Sequence, residues 1–262
     1  MGLMVKDLLV GNYMTAYPIS VKPTVAFKTV VSFMAEKGFA TLIVMEEENA
    51  MPLGVLTERE ILHYIVSEGK IPTKMVKDTF IQPFFSINPD TTVIEAARLM
   101  ISKRSRLLVF ADKDKLVGII TASDMLRAFR RTDLAPNLEK VISKKLYTCT
   151  NDASILDAAK ILHEKNIGSV LVQEDSSYGI FTERDFVKIL DKEISITSKV
   201  GQYSSFPLVT ANKKVLANEA ASIMAAKNIK RLGLKEDSAI VGIVTARDII
   251  DAFQMSFTDQ DD

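Results

Sequence analysis

The chain has 262 residues, 47% of them apolar and 25% charged, which sets an expectation of one to three globular domains and excludes disorder. Its 33 basic and 33 acidic side chains cancel, so no large electrostatic footprint on nucleic acid is expected. No apolar run reaches a membrane span, the N-terminal MGLMVKDLLVG does not read as a secretory leader, and the lone Cys149 leaves no internal disulfide or multi-thiolate site and fits a reducing cytoplasm. His63 and His163 are the only histidines and fall in different stretches of the chain, which leaves little material for a two-histidine metal motif or histidine catalysis.

In chain order, the first elements are an extended segment at Tyr17–Val21, an amphipathic helix, an apolar strand at Thr41–Met45 and a polar turn at Glu46–Ala50. A strand through GVLTERE at 54–60 leads into a helix at Glu58–Val66. The same order returns three times. Extended segments lie at Phe84–Ile87, Leu146–Cys149 and Leu208–Ala211. In the following helices, Val93, Ala96, Ala97 and Met100 share one face, and so do Ile155, Ala158, Ala159 and Leu162. Strands at Leu107–Phe110, Ser169–Val172 and Leu232–Leu234 precede polar turns at Asp112–Lys115, Glu174–Ser177 and Lys235–Ser238. GIITASD, GIFTERD and GIVTARD then open helices at Ser123–Phe129, Glu183–Leu190 and Arg247–Phe253.

Gly54, Gly118, Gly179 and Gly242 are spaced by 64, 61 and 63 residues, and Ser20, Ser86, Thr148 and Thr210 by 66, 62 and 62. Two columns in register make this a fourfold repeat of a β-α-β-β-α unit, with copies at 1–67, 68–135, 136–193 and 194–262. A unit of that size is marginal alone. Its helices are expected on one side of its sheet, so the copies should pair as 1–135 and 136–262. Ser67–Lys74 and Asp191–Ser198 would link copies within a pair, and Thr132–Leu138 would link the pairs.

Thr57/Glu60, Thr121/Asp124, Thr182/Asp185 and Thr245/Asp248 have capping-box spacing, although Asp reaches back less well than Glu. The same geometry has a second use. A helix N-terminus attracts phosphate, a Thr hydroxyl can donate to it, and a carboxylate suits the adjacent hydroxyls of a ribose. Arg59, Arg184 and Arg247, one residue before the acid, read as surface partners of Glu58, Glu183 or a neighbouring acid ahead of phosphate ligands. Arg127, Arg130 and Arg131 suit the end of a helix, and Cys149 reads as a small apolar residue.

The four G-[VI]-x-T-x-[RS]-[DE] phrases in units of about sixty residues resemble the CBS domain family over nearly the whole chain. The resemblance implies a mixed α/β (α+β) fold in which the four units form two Bateman modules, arranged as a flat disc like the four-unit gamma regulatory subunit of AMP-activated protein kinase. It implies a non-catalytic, cytoplasmic regulatory protein that takes AMP, ADP or ATP and changes conformation or partner affinity. The alternatives are a sensor of S-adenosylmethionine and a ligand-independent assembly scaffold. The resemblance carries ribose or phosphate contacts onto Thr121, Ser123, Asp124, Thr182, Asp185, Thr245 and Asp248, and less directly onto Thr57 and Glu60. It carries phosphate contacts onto Arg106, Lys230 and Arg231, which stand at the strand opening occupied by Thr41 and Ser169 in the other copies. Ile19, Ser20, Phe85, Ser86, Tyr147, Thr148, Val209 and Thr210 would hold the base, and no residue is assigned to a metal. The expected partners are the adenosine ligand and a protein target, with no nucleic acid and no membrane. A homodimer is favoured over a disc closed within one chain, because sheet or helix faces would otherwise stay exposed.

Overall fold

The computed structural model describes residues 7–47, 50–69, 71, 73–79, 81–111 and 115–258. Glu48 and Asn49 of the first polar turn, residues 112–114 of the second, and Pro72 of the first linker lie outside the described residues. After a two-residue strand, β1 (Thr15–Ala16), copy 1 runs β2 (Ser20–Val21), α1 (Phe27–Lys37), β3 (Thr41–Val44), β4 (Gly54–Thr57) and α2 (Glu58–Glu68). Copy 2 runs β5 (Phe85–Ile87), α3 (Val93–Lys103), β6 (Leu107–Ala111), β7 (Lys115–Ile120) and α4 (Ala122–Phe129). Copy 3 follows with β8 (Thr148–Thr150), α5 (Ile155–Glu164), β9 (Ser169–Glu174), β10 (Ser177–Thr182) and α6 (Glu183–Asp191). Copy 4 has β11 (Thr210–Asn212), α7 (Ala217–Ala226), β12 (Arg231–Glu236), β13 (Ala239–Thr245) and α8 (Ala246–Thr258). In every copy the first strand is parallel to the second, across the helix crossover, and the second is antiparallel to the third across the polar turn.

The apolar periodicity reaches the core as expected. Val93, Ala96, Ala97 and Met100 are buried in one cluster, and Ile155, Ala158, Ala159 and Leu162 in another. Ala pairs at the helix contacts let backbones approach, and larger side chains fill the space around them.

Two compact units form. One holds copies 2 and 4 (residues 84–145 and 209–262) with residues 1–18, and the other holds copies 1 and 3 (residues 19–83 and 146–208). Helix packing sets this grouping. In the first unit α3, α4 and α7 pack on α8; in the second, α1 and α2 pack on α6 and α2 also on α5. The stack of Phe129 on Phe253, 4.5 Å apart and nearly parallel, closes the centre of the first unit. The units are thus not the contiguous halves 1–135 and 136–262; that expectation concerns sheet faces, whereas helix faces join copies 1 with 3 and 2 with 4.

A second feature is the strapping of each sheet by a distant segment. The segment preceding each copy completes the sheet of a different copy. Thr15 and Ala16 pair with Ile119 and Gly118 of copy 2, and Gln82 bridges Val55 of copy 1. Ser143 bridges Ile243 of copy 4, and Ser205 bridges Ile180 of copy 3. These straps explain the recurring glycines. A Cβ on Gly54 would meet the carbonyl of Gln82, on Gly118 the side chain of Met14, on Gly179 the ring of Phe206 and on Gly242 the side chain of Ile142.

Candidate functional site

All four recurrent Thr residues sit at the start of a helix, and all four acids fold back onto them. The backbone N–H of Thr57 donates to Glu60 Oε2 at 3.0 Å. The backbone N–H groups of Thr121, Thr182 and Thr245 donate to Oδ2 of Asp124, Asp185 and Asp248 at 2.8, 3.0 and 2.7 Å. Each Thr hydroxyl also donates to that same oxygen. The shorter reach of Asp therefore does not prevent the capping box, because one carboxylate oxygen takes both bonds. The box alone is not a mark of a ligand site. Thr92 with Glu95 and Ser154 with Asp157 form the same motif at the solvent-exposed starts of first helices.

Burial separates the two groups. Hydrogen bonds from Thr92 and Ser154 hold the exposed Glu95 and Asp157 carboxyls below their usual range. Burial pushes Asp248 above it, against the hydrogen bonds from Thr245 and the charge of Arg247, and the charge of Asp251 adds a smaller push in the same direction as burial. Asp124 and Glu60 are only 2% and 8% exposed.

The strand-opening residues lie beside these caps. Thr41, Ser169 and Arg231 pair directly with Thr57, Thr182 and Thr245, and Arg106 precedes Leu107, the partner of Ile120. The Lys230 carbonyl accepts the N–H of Ala246 at the tip of α8. Arg106, Lys230 and Arg231 each engage protein groups. In copy 1, the buried Thr41 hydroxyl lacks a hydrogen-bond partner.

The first-strand residues reach the same end of each sheet. The carbonyls of Ile19, Tyr147 and Val209 accept from Ile43, Leu171 and Gly233, each two residues along from Thr41, Ser169 and Arg231. Phe85 pairs with Leu107, next to Arg106. Ser20, Ser86 and Thr148 are exposed, whereas Phe85, Tyr147, Val209 and Thr210 are half-buried. Within each copy the structure brings together the cap, the acid, the strand opening and the first strand.

The arginines next to the acids serve packing. Arg59 pairs with Glu183 at 2.7 Å and Arg184 with Glu58 at 3.0 Å, a reciprocal bridge between copies 1 and 3. Arg59 also donates to Asn166 Oδ1, Arg184 to the carbonyl of Gly38, and Arg247 to that of Arg104. Those three acceptor residues occupy equivalent left-handed positions after the first helices of their copies. Ser123 is the copy 2 residue at the arginine position.

Arg127 departs from the expected helix-end role. It turns back to bind Asp124 Oδ1 at 2.8 Å and also donates to the carbonyl of Tyr13. The two histidines, expected to be apart, meet across α2 and α5 with ring centroids 4.5 Å apart, edge to face. His63 Nε2 and His163 Nδ1 are buried without a hydrogen-bond partner. Their i,i+7 neighbours gave no hint of this, since the contact joins copies about a hundred residues apart. Cys149 is half-buried, and burial pushes its thiol up to about 11, which leaves no reactive thiolate near neutral pH. Among the described residues no group of three or more His, Cys, Asp or Glu could hold a metal ion, and no helix is long and apolar enough to cross a membrane.

The CBS domain family model matches residues 5–67, 76–131, 138–192 and 200–254. The chain belongs to the CBS domain family. An uncharacterized protein of Methanopyrus kandleri, MK0525, is 32% identical over 47% of the chain and 63% of its own length. A second, MJ1404 of Methanocaldococcus jannaschii, is 23% identical over 92% of the chain and 61% of its own length. The chain spans 63%, 45% and 61% of three such curated relatives. The crystal structure of MJ1225 from Methanocaldococcus jannaschii, described as a candidate archaeal homolog of g-AMPK, superposes with a TM-score of 0.82. That match covers 94% of this chain and 100% of that one at 19% identity. An uncharacterized conserved protein from Pyrococcus horikoshii gives a TM-score of 0.65 over 93% and 99% of the two chains, also at 19% identity. At that level of identity the likeness is one of fold.

Proposed function

We propose that this CBS protein is a regulatory receptor for an adenosine ligand of the AMP, ADP or ATP type, without catalysis of its own. One observation carries the reading. Four times, the chain places a capping Thr and a carboxylate beside a polar or basic strand opening and a first strand at the edge of its sheet. Helix-tip amides and a Thr hydroxyl suit phosphate, a carboxylate at the tip suits a sugar diol, and the half-buried first-strand residues offer an apolar slot for a base. Copy 4 has the fullest set: Val209, Thr210, Lys230, Arg231, Thr245 and Asp248.

In this reading residues 1–135 and 136–262 are the two contiguous modules. The straps support it, because the segments before copies 1 and 2 complete each other's sheets, and so do those before copies 3 and 4. A ligand acts on a partner only through different affinities for two states. At 100 times its dissociation constant it stabilises the bound state by about 2.7 kcal/mol. Calorimetric and thermal-shift titration with AMP, ADP, ATP and S-adenosylmethionine tests the proposal. Binding of an adenine nucleotide, weakened at least tenfold by Asp248→Ala, is the expected outcome. Heat from none of them would end it.

A scaffold role has one observation of its own: Met51, Leu53 and Met75 are large, apolar and exposed in the unit of copies 1 and 3. It requires a stable oligomer whose mass does not respond to nucleotide, which light scattering would register.

A further inference from the structure

Three residues beyond each acid the chain carries His63, Arg127, Lys188 or Asp251. In copy 2 this position changes the state of the acid. Asp124 Oδ2 is taken by the cap, as in the other copies. Its Oδ1 is taken too, by the Arg127 guanidinium at 2.8 Å and, at 3.5 Å, by the hydroxyl of Thr15. Arg127 donates in addition to the carbonyl of Tyr13. Thr15 and Tyr13 belong to the segment that precedes copy 1, and the side chain of Met14 covers Gly118 of the same copy 2 strand. The result is a carboxylate only 3% exposed with both oxygens engaged and its charge matched.

Copy 4 of the same unit presents the opposite arrangement. The hydrogen bonds made to Asp248 among the described residues all end on Oδ2. The residue three further on is Asp251, an acid in place of an arginine, and it raises the cost of the Asp248 charge rather than lowering it. A half-buried carboxylate that burial holds above its usual range, with one oxygen left over by the cap, gains from a neutral donor such as a hydroxyl. The saturated Asp124 gains nothing until Arg127 leaves.

We propose that Arg127 and the strap residues Tyr13–Thr15 are an internal occupant of the copy 2 helix tip, so that a sugar diol binds first at Asp248 and reaches Asp124 only by displacing the strap. This rests on the reading that these acids receive sugar hydroxyls. Its consequence is regulatory: filling copy 2 frees residues 13–16, which belong to the unit of copies 2 and 4 and lie just ahead of Ile19 in the chain, and filling copy 4 does not.

The test uses the full chain with AMP as probe. Calorimetry should give one further equivalent of bound AMP for Arg127→Ala than for the natural sequence, and Asp124→Asn added to Arg127→Ala should remove that equivalent. Arg127 is 56% exposed, so its replacement leaves the core intact. Hydrogen exchange supplies a readout that needs no ligand. The amides of Met14 and Tyr17, bonded to the carbonyls of Val10 and Val117, should exchange at least tenfold faster in Arg127→Ala. AMP binding with unchanged stoichiometry in Arg127→Ala overturns the proposal. If AMP binds neither protein, the receptor reading itself fails, and unchanged exchange at residues 14 and 17 then also overturns the strap's role as occupant.

Discussion

The two compact units share a topology and differ in where they place charge. Copies 1 and 3 lock their second helices with Arg59–Glu183 and Arg184–Glu58. Copies 2 and 4 have Ala122 and Ala246 where those glutamates stand, and Phe129 stacks on Phe253 where the other unit has Ile65 and Leu190. One unit thus joins its copies with ion pairs at the helix tips, the other with aromatic area at their centre. The difference also leaves the unit of copies 2 and 4 with alanines and no acid at positions 122 and 246. A fold repeated twice can hold itself together by different means.

The largest break in that comparison should come from Phe253→Ala. Deleting a fully buried, stacked ring costs about 3–5 kcal/mol, and equilibrium denaturation should show the loss in the unit of copies 2 and 4. Gly54→Ala should come next, at about 1–3 kcal/mol, because its methyl meets the backbone of Gln82. Gly118→Ala should cost less, since it meets the flexible side chain of Met14; the two variants compared by denaturant midpoint show whether a strap is held by backbone or by side chain. Glu58→Gln with Glu183→Gln should cost about 1 kcal/mol per pair. The double variant should also lose the part of the salt dependence of stability that belongs to the unit of copies 1 and 3.

A smaller effect follows from pH. Burial, then the neighbouring His163 and Arg59, hold the His63 imidazole below its usual 6.5, against the weaker pull of Glu183 and Glu60. The unfolded chain therefore binds the proton first. The contribution of His63 to stability is complete above about pH 6.5 and falls as the pH drops below it, levelling once the folded imidazole titrates. Melting curves from pH 8 to 5 should show this slope in the natural sequence and a shallower one in His63→Gln.

The repeat, the order of elements and the buried helix faces were all legible in the sequence, because fourfold periodicity and the spacing of Val93, Ala96, Ala97 and Met100 are local patterns. The pairing of the arginines with Glu58 and Glu183 was legible as a class of contact, but not which copy each would reach. The straps, the His63–His163 contact and the turn of Arg127 toward Tyr13 were not legible. Each joins residues 25 to 114 positions apart, and no local period encodes such a meeting. The recurring glycine was the one trace of the straps: a small residue repeated mid-strand marks a close approach by another segment. For the candidate site, the sequence located each cap and acid, and the structure added that Asp124 has both oxygens engaged while burial holds Asp248 above its usual range.

The straps have a bearing on how such a protein could be divided. A fragment ending after residue 135 keeps the straps of copies 1 and 2 but strips both of the helices that cover them, while a pair made of copies 1 and 3 would keep its helices and need two severed pieces of chain. No single cut yields an independent half. A contiguous half would have to find a second molecule of itself, borrowing from that twin the helices that the other half supplies in the intact chain.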